Sequence, residues 1–196
     1  PERGLDVLLR EIMPRILERE PQARLFLSAY DNQVPELAEF YQQCAALAAK
    51  LGDRVVNLGA LTKAQLYEAY HVSGLYVYPT PSFYAPEFDE ISCITAMEVQ
   101  ACGLPIVASA RGALVETIAP GAGTLIDTLV HTPEYYDAFA EAALLLMRNP
   151  HEWRQASAAG LEHARALSWD AVAQEWTELF ERELLSNTDT PAKLGT

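Results

Sequence analysis

Positive charge is scarce in this chain. Its 196 residues carry 14 Lys plus Arg against 27 Asp plus Glu, a net charge of −13. The long-range field therefore repels polyanions, and nucleic acid is excluded as the expected partner. An anionic ligand would have to be held locally, by backbone dipoles and a few placed cations. Cysteine is equally sparse. Cys44, Cys93 and Cys102 form no CxxC pair, and an odd count argues against a disulfide framework, so a reducing cytosol is the expected setting. No apolar run approaches the roughly 20 residues of a membrane span and no signal-peptide pattern is present, so no transmembrane segment is expected. His71, His131, His151 and His163 show neither ligand-like spacing nor an HExxH pattern, which disfavours a metal site.

What is there is an ordinary globular composition, 50% apolar and 21% charged, long enough for one large domain or two small ones. The chain opens at Pro1 directly into a helical pattern and is expected to be a piece of something longer. Over residues 4–20 the apolar positions Leu5, Leu8, Leu9, Ile12, Ile16 and Leu17 fall on one helical face, with Pro21 ending the run. Short β-type segments follow at 23–30, 54–59, 75–79, 105–109 and 123–127. Helical patterns lie between them at 36–51, 62–70 (Thr62 as cap) and 91–101, with one or two turns at 113–118. Alternation with short connections predicts an α/β fold, a doubly wound, mostly parallel Rossmann-like sheet with helices on both faces. Three further helices, about 134–148, 151–167 and 169–185, would complete a domain of residues 1–185, leaving 186–196 as a flexible tail.

Open α/β sheets bind ligands outside the carboxyl ends of their strands. The loop after Pro79 stands out, running TPSFYAPEFDE into a helix whose first turn would be ISCI, with free amides suited to phosphate. Glu90 and Glu98 flank that helix start. Among 19 glutamates such a spacing arises by chance about twice, and Glu175 with Glu183 repeats it. Context separates the first pair: a strand end, an irregular loop, a helix start and then the ACGLPIVAS turn and strand. At about 1.5 Å per residue, Glu98 would lie about 9 Å down the helix from its first turn, matching the span between a sugar and a ribose joined by a diphosphate.

PERGLDVLL near the start, VVNLG at 55–59, LYVYPT at 75–80, EISCITAMEVQACGLPIVAS at 90–109, RGALVETI at 111–118 and LSWDAVAQEW at 167–176 occur in order. Together they resemble the C-terminal, donor-binding domain of the retaining GT-B glycosyltransferases of family 4. The resemblance implies a nucleoside-diphosphate-sugar substrate, no cofactor and no metal. It implies that Glu90 bonds hydroxyls of the transferred sugar and that Glu98 accepts from the ribose. Amides of Ile91, Ser92 and Cys93 would face the diphosphate, Ile94 would sit near the ribose, and Arg3, where the family usually has lysine, would neutralise the departing diphosphate. An N-terminal acceptor-binding domain is the implied partner, and without it the fragment is expected to be inactive. The location implied is the cytosol, or the cytosolic face of a membrane through that missing domain.

Two departures matter. Ile91 stands where the family commonly has glycine or proline after the first glutamate, leaving the sugar open. A Gly-Arg strand that the family places just before that lysine, which opens its KG motif, would lie upstream of Pro1, and in a 3-2-1-4-5-6 sheet it is the central one. Each candidate also has a plainer role: Glu90 as a helix-start acid, Glu98, Arg3, Lys63 and Arg111 as surface charges, Cys93 as a packing residue. Phe83, Tyr84 and Phe88 either wall the site or pack the loop. The alternatives for the whole are a GT-B sugar-nucleotide epimerase and a non-catalytic nucleotide-binding or interaction module.

Overall fold

The computed structural model describes residues 1–28 and 34–188, with side chains through residue 184. The end of the first expected strand, the turn that follows it and most of the expected tail lie outside these residues.

The first helix, α1, is one run in three contiguous pieces, Leu5–Val7, Leu8–Ile12 and Met13–Arg19, the middle one π-helical. Pro14 accounts for the change of pitch. It has no N–H and its ring crowds the carbonyl four residues back, so the chain widens by a residue and the Met13 N–H reaches the Leu8 carbonyl.

Five short parallel strands follow: β1 (Leu25–Ser28), β2 (Val55–Gly59), β3 (Tyr76–Tyr78), β4 (Ile106–Ser109) and β5 (Gly123–Ile126). The helices are α2 (Ala38–Leu51), α3 (Lys63–Val72), α4 (Ile94–Ala101), α5 (Leu114–Thr117), α6 (Pro133–Arg148), α7 (Pro150–Ala166) and α8 (Trp169–Thr188). Thr62 closes a capping box with Gln65 at the start of α3, the Asn149 side chain accepts from the amides of His151 and Glu152, and Ser168 Oγ accepts from the Ala171 amide. The α/β alternation expected from the pattern is thus present, with strands shorter than the apolar segments that contain them.

The strands do not form one sheet. Among the described residues β1 pairs only with β2, and β3–β4–β5 form a second sheet in that order. Leu25 of β1 and Val77 of β3 pack against the same core, so the two sheets share an interior while, among the described residues, one edge of β1 and one of β3 have no strand partner. In that core, Val107 meets Val7, Ile12 and Met13 of α1 and Phe139 and Leu144 of α6. On the opposite face Ile106 and Ala108 meet Ala96 and Val99 of α4 and Leu114 of α5. β4 is therefore buried on both sides, as its unbroken apolar run requires of a central parallel strand. α8 exposes Trp169, Trp176, Phe180 and Leu184. No described helix is long and apolar enough to cross a membrane.

Candidate functional site

The loop between β3 and α4 is fastened from two sides. The residues ahead of α1 lie across the carboxyl end of β3: the Ser82 amide donates to the Glu2 carbonyl at 2.9 Å, and Gly4, with φ 76°, runs so close that a Cβ there would meet the Pro79 carbonyl oxygen at 2.0 Å. Asp6, buried in the first turn of α1, accepts from the Phe83 amide at 3.0 Å through Oδ2 and from the Val7 amide at 2.9 Å through Oδ1. From the other side, the Arg111 Nε donates to Asp89 Oδ1 at 2.7 Å and the Ala113 amide donates to the Glu90 carbonyl at 2.7 Å.

These ties deliver Glu90 to the end of β3 with 5% of its surface exposed. Its Oε2 receives two donors, the Tyr78 hydroxyl at 2.5 Å and the Arg3 Nε at 3.4 Å. No hydrogen bond reaches Oε1 among the described residues. Arg3 and Glu90, 87 positions apart, are thus brought together, and the guanidinium side chain is 63% exposed. Burial pushes the Tyr78 phenol far above its ordinary range, reinforced by its bond to Glu90, so it stays a neutral donor.

α4 begins at Ile94, three residues later than the sequence pattern implies. Ile91, Ser92 and Cys93 precede it in an irregular stretch, and none of their amides donates to another described residue. Their amides thus belong to a loop and not to a helical turn. Glu90 consequently does not sit in a helix, which removes its plainer role as a helix-start acid. The Ile91 side chain is 91% exposed beside Glu90, and Ile94 is exposed as well. Cys93 is buried in the apolar cluster that contains Tyr78, and burial raises its thiol pKa, so packing describes it better than nucleophilic chemistry.

Starting the helix at Ile94 also shortens the reach to Glu98, which lies one turn, about 6 Å, along α4 instead of about 9 Å. Glu98 Oε1 pairs with Lys63 Nζ and accepts from the Tyr67 hydroxyl at 3.4 Å. Lys63 and Arg111 each make a solvent-exposed ion pair, with Glu98 and with Asp89, as surface charges do. Phe83 packs between the His131 ring, 4.7 Å away, and the Arg10 guanidinium, while Tyr84 leans on Phe40 and stays half exposed. Two surface cavities of about 360 and 390 Å³ lie elsewhere, one beside Arg19 and Arg148, the other beside Gly74 and Trp153. Neither cavity is lined by Glu90 or Arg3.

Asp6, Tyr67 and Tyr78 were not visible as site residues from the sequence. Tyr78 had a signal, being the last side chain of the strand that leads into the ligand loop. Asp6 and Tyr67 had none, because only the packing of α1 and α3 brings them near. Among the described residues no group of three or more His, Cys, Asp or Glu is placed to hold a metal ion.

An α/β domain of parallel strands with an amide-lined loop and two flanking carboxylates defines the class, and comparison with known proteins defines the family. Residues 1–149 match the family model described as glycosyl transferases group 1, and the chain belongs to that family. It is 32% identical to the D-inositol 3-phosphate glycosyltransferase of Segniliparus rotundus over 88% of this chain and 36% of that protein. Sucrose-phosphate synthase from Thermosynechococcus elongatus superposes with a TM-score of 0.69 at 24% identity, covering 94% of this chain and 43% of that one. Anabaena HepE in complex with UDP-glucose superposes with a TM-score of 0.65 at 19% identity, covering 93% and 46%. These neighbours establish the GT-B half-fold. The chain spans about two-fifths of the length of the relatives it matches.

Proposed function

We propose that this chain is the donor-binding part of a retaining, metal-independent glycosyltransferase that moves a hexose-type sugar from a nucleoside diphosphate to an acceptor. The observation that carries the proposal is the meeting of Arg3 and Glu90 at the amide-lined loop. It sets a cation for a diphosphate and a carboxylate for sugar hydroxyls within one small site of a strongly acidic protein.

In this reading Glu98 accepts from the ribose hydroxyls, which displace Lys63 and Tyr67. The amides of Ile91, Ser92 and Cys93 face the diphosphate, and Ile94 covers the ribose. Glu90 takes hydroxyls of the transferred sugar, and Arg3 turns to the phosphate. When the bond between the anomeric carbon and the diphosphate oxygen breaks, the electron pair leaves with the diphosphate, whose growing charge Arg3 and the amides stabilise. The acceptor oxygen forms the new bond and gives up its proton to the departing phosphate. The acceptor would be held by the part of the protein that the relatives possess beyond the span matched here. A strand from that part, running parallel between the unpaired edges of β1 and β3, would join the two sheets.

The test is calorimetry on the full-length protein with UDP and GDP. Glu98→Ala should weaken the bound nucleotide about tenfold or more, the loss of charge-assisted hydrogen bonds. Unchanged affinity would remove the ribose role. Glu90→Ala should keep that affinity and lose sugar transfer about a hundredfold, and normal transfer by this variant would remove the sugar role.

A further inference from the structure

Glu90 is held by two donors of very different kind. Arg3 reaches Oε2 at 3.4 Å from an exposed side chain, and an ion pair of that length in water holds its partner weakly. Tyr78 reaches the same oxygen at 2.5 Å, and both it and Glu90 are buried, with 5% exposure each. A hydroxyl donating to a carboxylate away from water is among the stronger hydrogen bonds a protein makes.

The two donors also differ in what holds them. Tyr78 closes β3 in register with Ala108 of the fully buried β4, and its ring stacks on Tyr76 at 6.1 Å and 24°. Arg3 sits in the irregular segment before α1, tied through the neighbouring Glu2 carbonyl while its own side chain extends into solvent. One donor is anchored in the sheet and the other is free to turn.

Resting on the function proposed above, we infer that Tyr78 is a positioning residue: its hydroxyl keeps the Glu90 carboxylate in place when Arg3 leaves it for the diphosphate, and Oε1 stays available to a hydroxyl of the transferred sugar. Without the phenol, the arrival of a donor would remove the last partner of Oε2, and the carboxylate would be free to swing at the moment it has to be fixed. The arrangement separates the two tasks. Arg3 follows the phosphate charge and Tyr78 does not move.

Tyr78→Phe removes one oxygen atom and leaves the ring packing intact. In the full-length protein, with UDP-glucose and GDP-mannose as donor probes, the rate of nucleoside diphosphate release at saturating donor should fall about tenfold. The donor KM and the calorimetric Kd for UDP or GDP should stay close to wild type, while the melting temperature falls by a few degrees because a buried carboxylate loses a donor. Glu90→Gln, measured alongside, should lower the same rate. If Tyr78→Phe keeps the wild-type rate while Glu90→Gln loses it, the positioning role is overturned and the site stands. A Tyr78→Phe variant that loses rate and diphosphate affinity by the same factor also overturns it, since that is damage to the loop. If Glu90→Gln keeps the wild-type rate, or the wild-type protein turns over no nucleoside-diphosphate sugar, the site itself fails and the role of Tyr78 falls with it.

Discussion

The main chains of Glu90 and Gly112 are in contact. A Cβ on Gly112 would stand 2.3 Å from the Glu90 carbonyl oxygen and 2.8 Å from its nitrogen, and the same carbonyl accepts the Ala113 amide at 2.7 Å. The turn after β4 thus sets the height of the loop after β3, and with it the place of the carboxylate.

Gly112→Ala should therefore damage the site more than a surface substitution does. The residue has φ 51°, and the added methyl both strains that conformation by about 1 kcal/mol and pushes on backbone that has no flexible end to yield. The expected outcome is a lowered melting temperature together with weakened UDP or GDP binding. Scanning calorimetry and titration on one preparation would check it, and a variant matching wild type in both would show that the contact relaxes at no cost.

Asp6 acts from the opposite side of the same loop. Asp6→Ala leaves the amides of Phe83 and Val7 without their acceptor, at a cost of about 2 kcal/mol, or about 5 °C in melting temperature for a chain of this length. Asp6→Asn retains an acceptor and should lose less. Equal melting of Asp6→Ala and wild type would mean that water replaces the carboxylate.

Alkaline pH offers a test away from the site. Burial beside Phe40 and Leu9 pushes the Cys44 thiol from 9.0 up to about 11. Between those values the unfolded chain releases a proton that the folded chain keeps, so the native state binds more protons and its stability falls as pH rises from 9 to 11. Burial raises Tyr76 and Tyr135 as well and adds a loss of the same sign above about pH 10. Melting temperatures at pH 8, 9, 10 and 11 should drop progressively. In Cys44→Ala the drop between pH 9 and 11 should be shallower, and an identical slope would rule out the thiol.

Much of the candidate site was legible because it is local. Glu90, Ile91, Ser92, Cys93, Ile94 and Glu98 lie in one short stretch, and a strand followed by a loop of prolines and aromatics marks a ligand loop without tertiary information. The start of α4 was misjudged for an equally local reason. Ile91, Ser92 and Cys93 continue an apolar pattern that suits a helix, yet the clamp on Glu90 from Gly112 and Ala113 holds the preceding backbone out of helical geometry until Ile94.

The sequence by itself determined the order of elements, since apolar periodicity and capping residues such as Thr62 and Asn149 act over a few positions. It also determined, through the −13 charge, that any phosphate must be met by placed groups and not by a basic surface. Only the tertiary structure decided which groups meet. Arg3 and Tyr78 converge on Glu90, Lys63 and Tyr67 on Glu98, and Asp6 on the Phe83 amide, across separations of 12 to 87 residues. Such meetings depend on how α1 and α3 pack against the strands, and no local pattern of side chains encodes that distance.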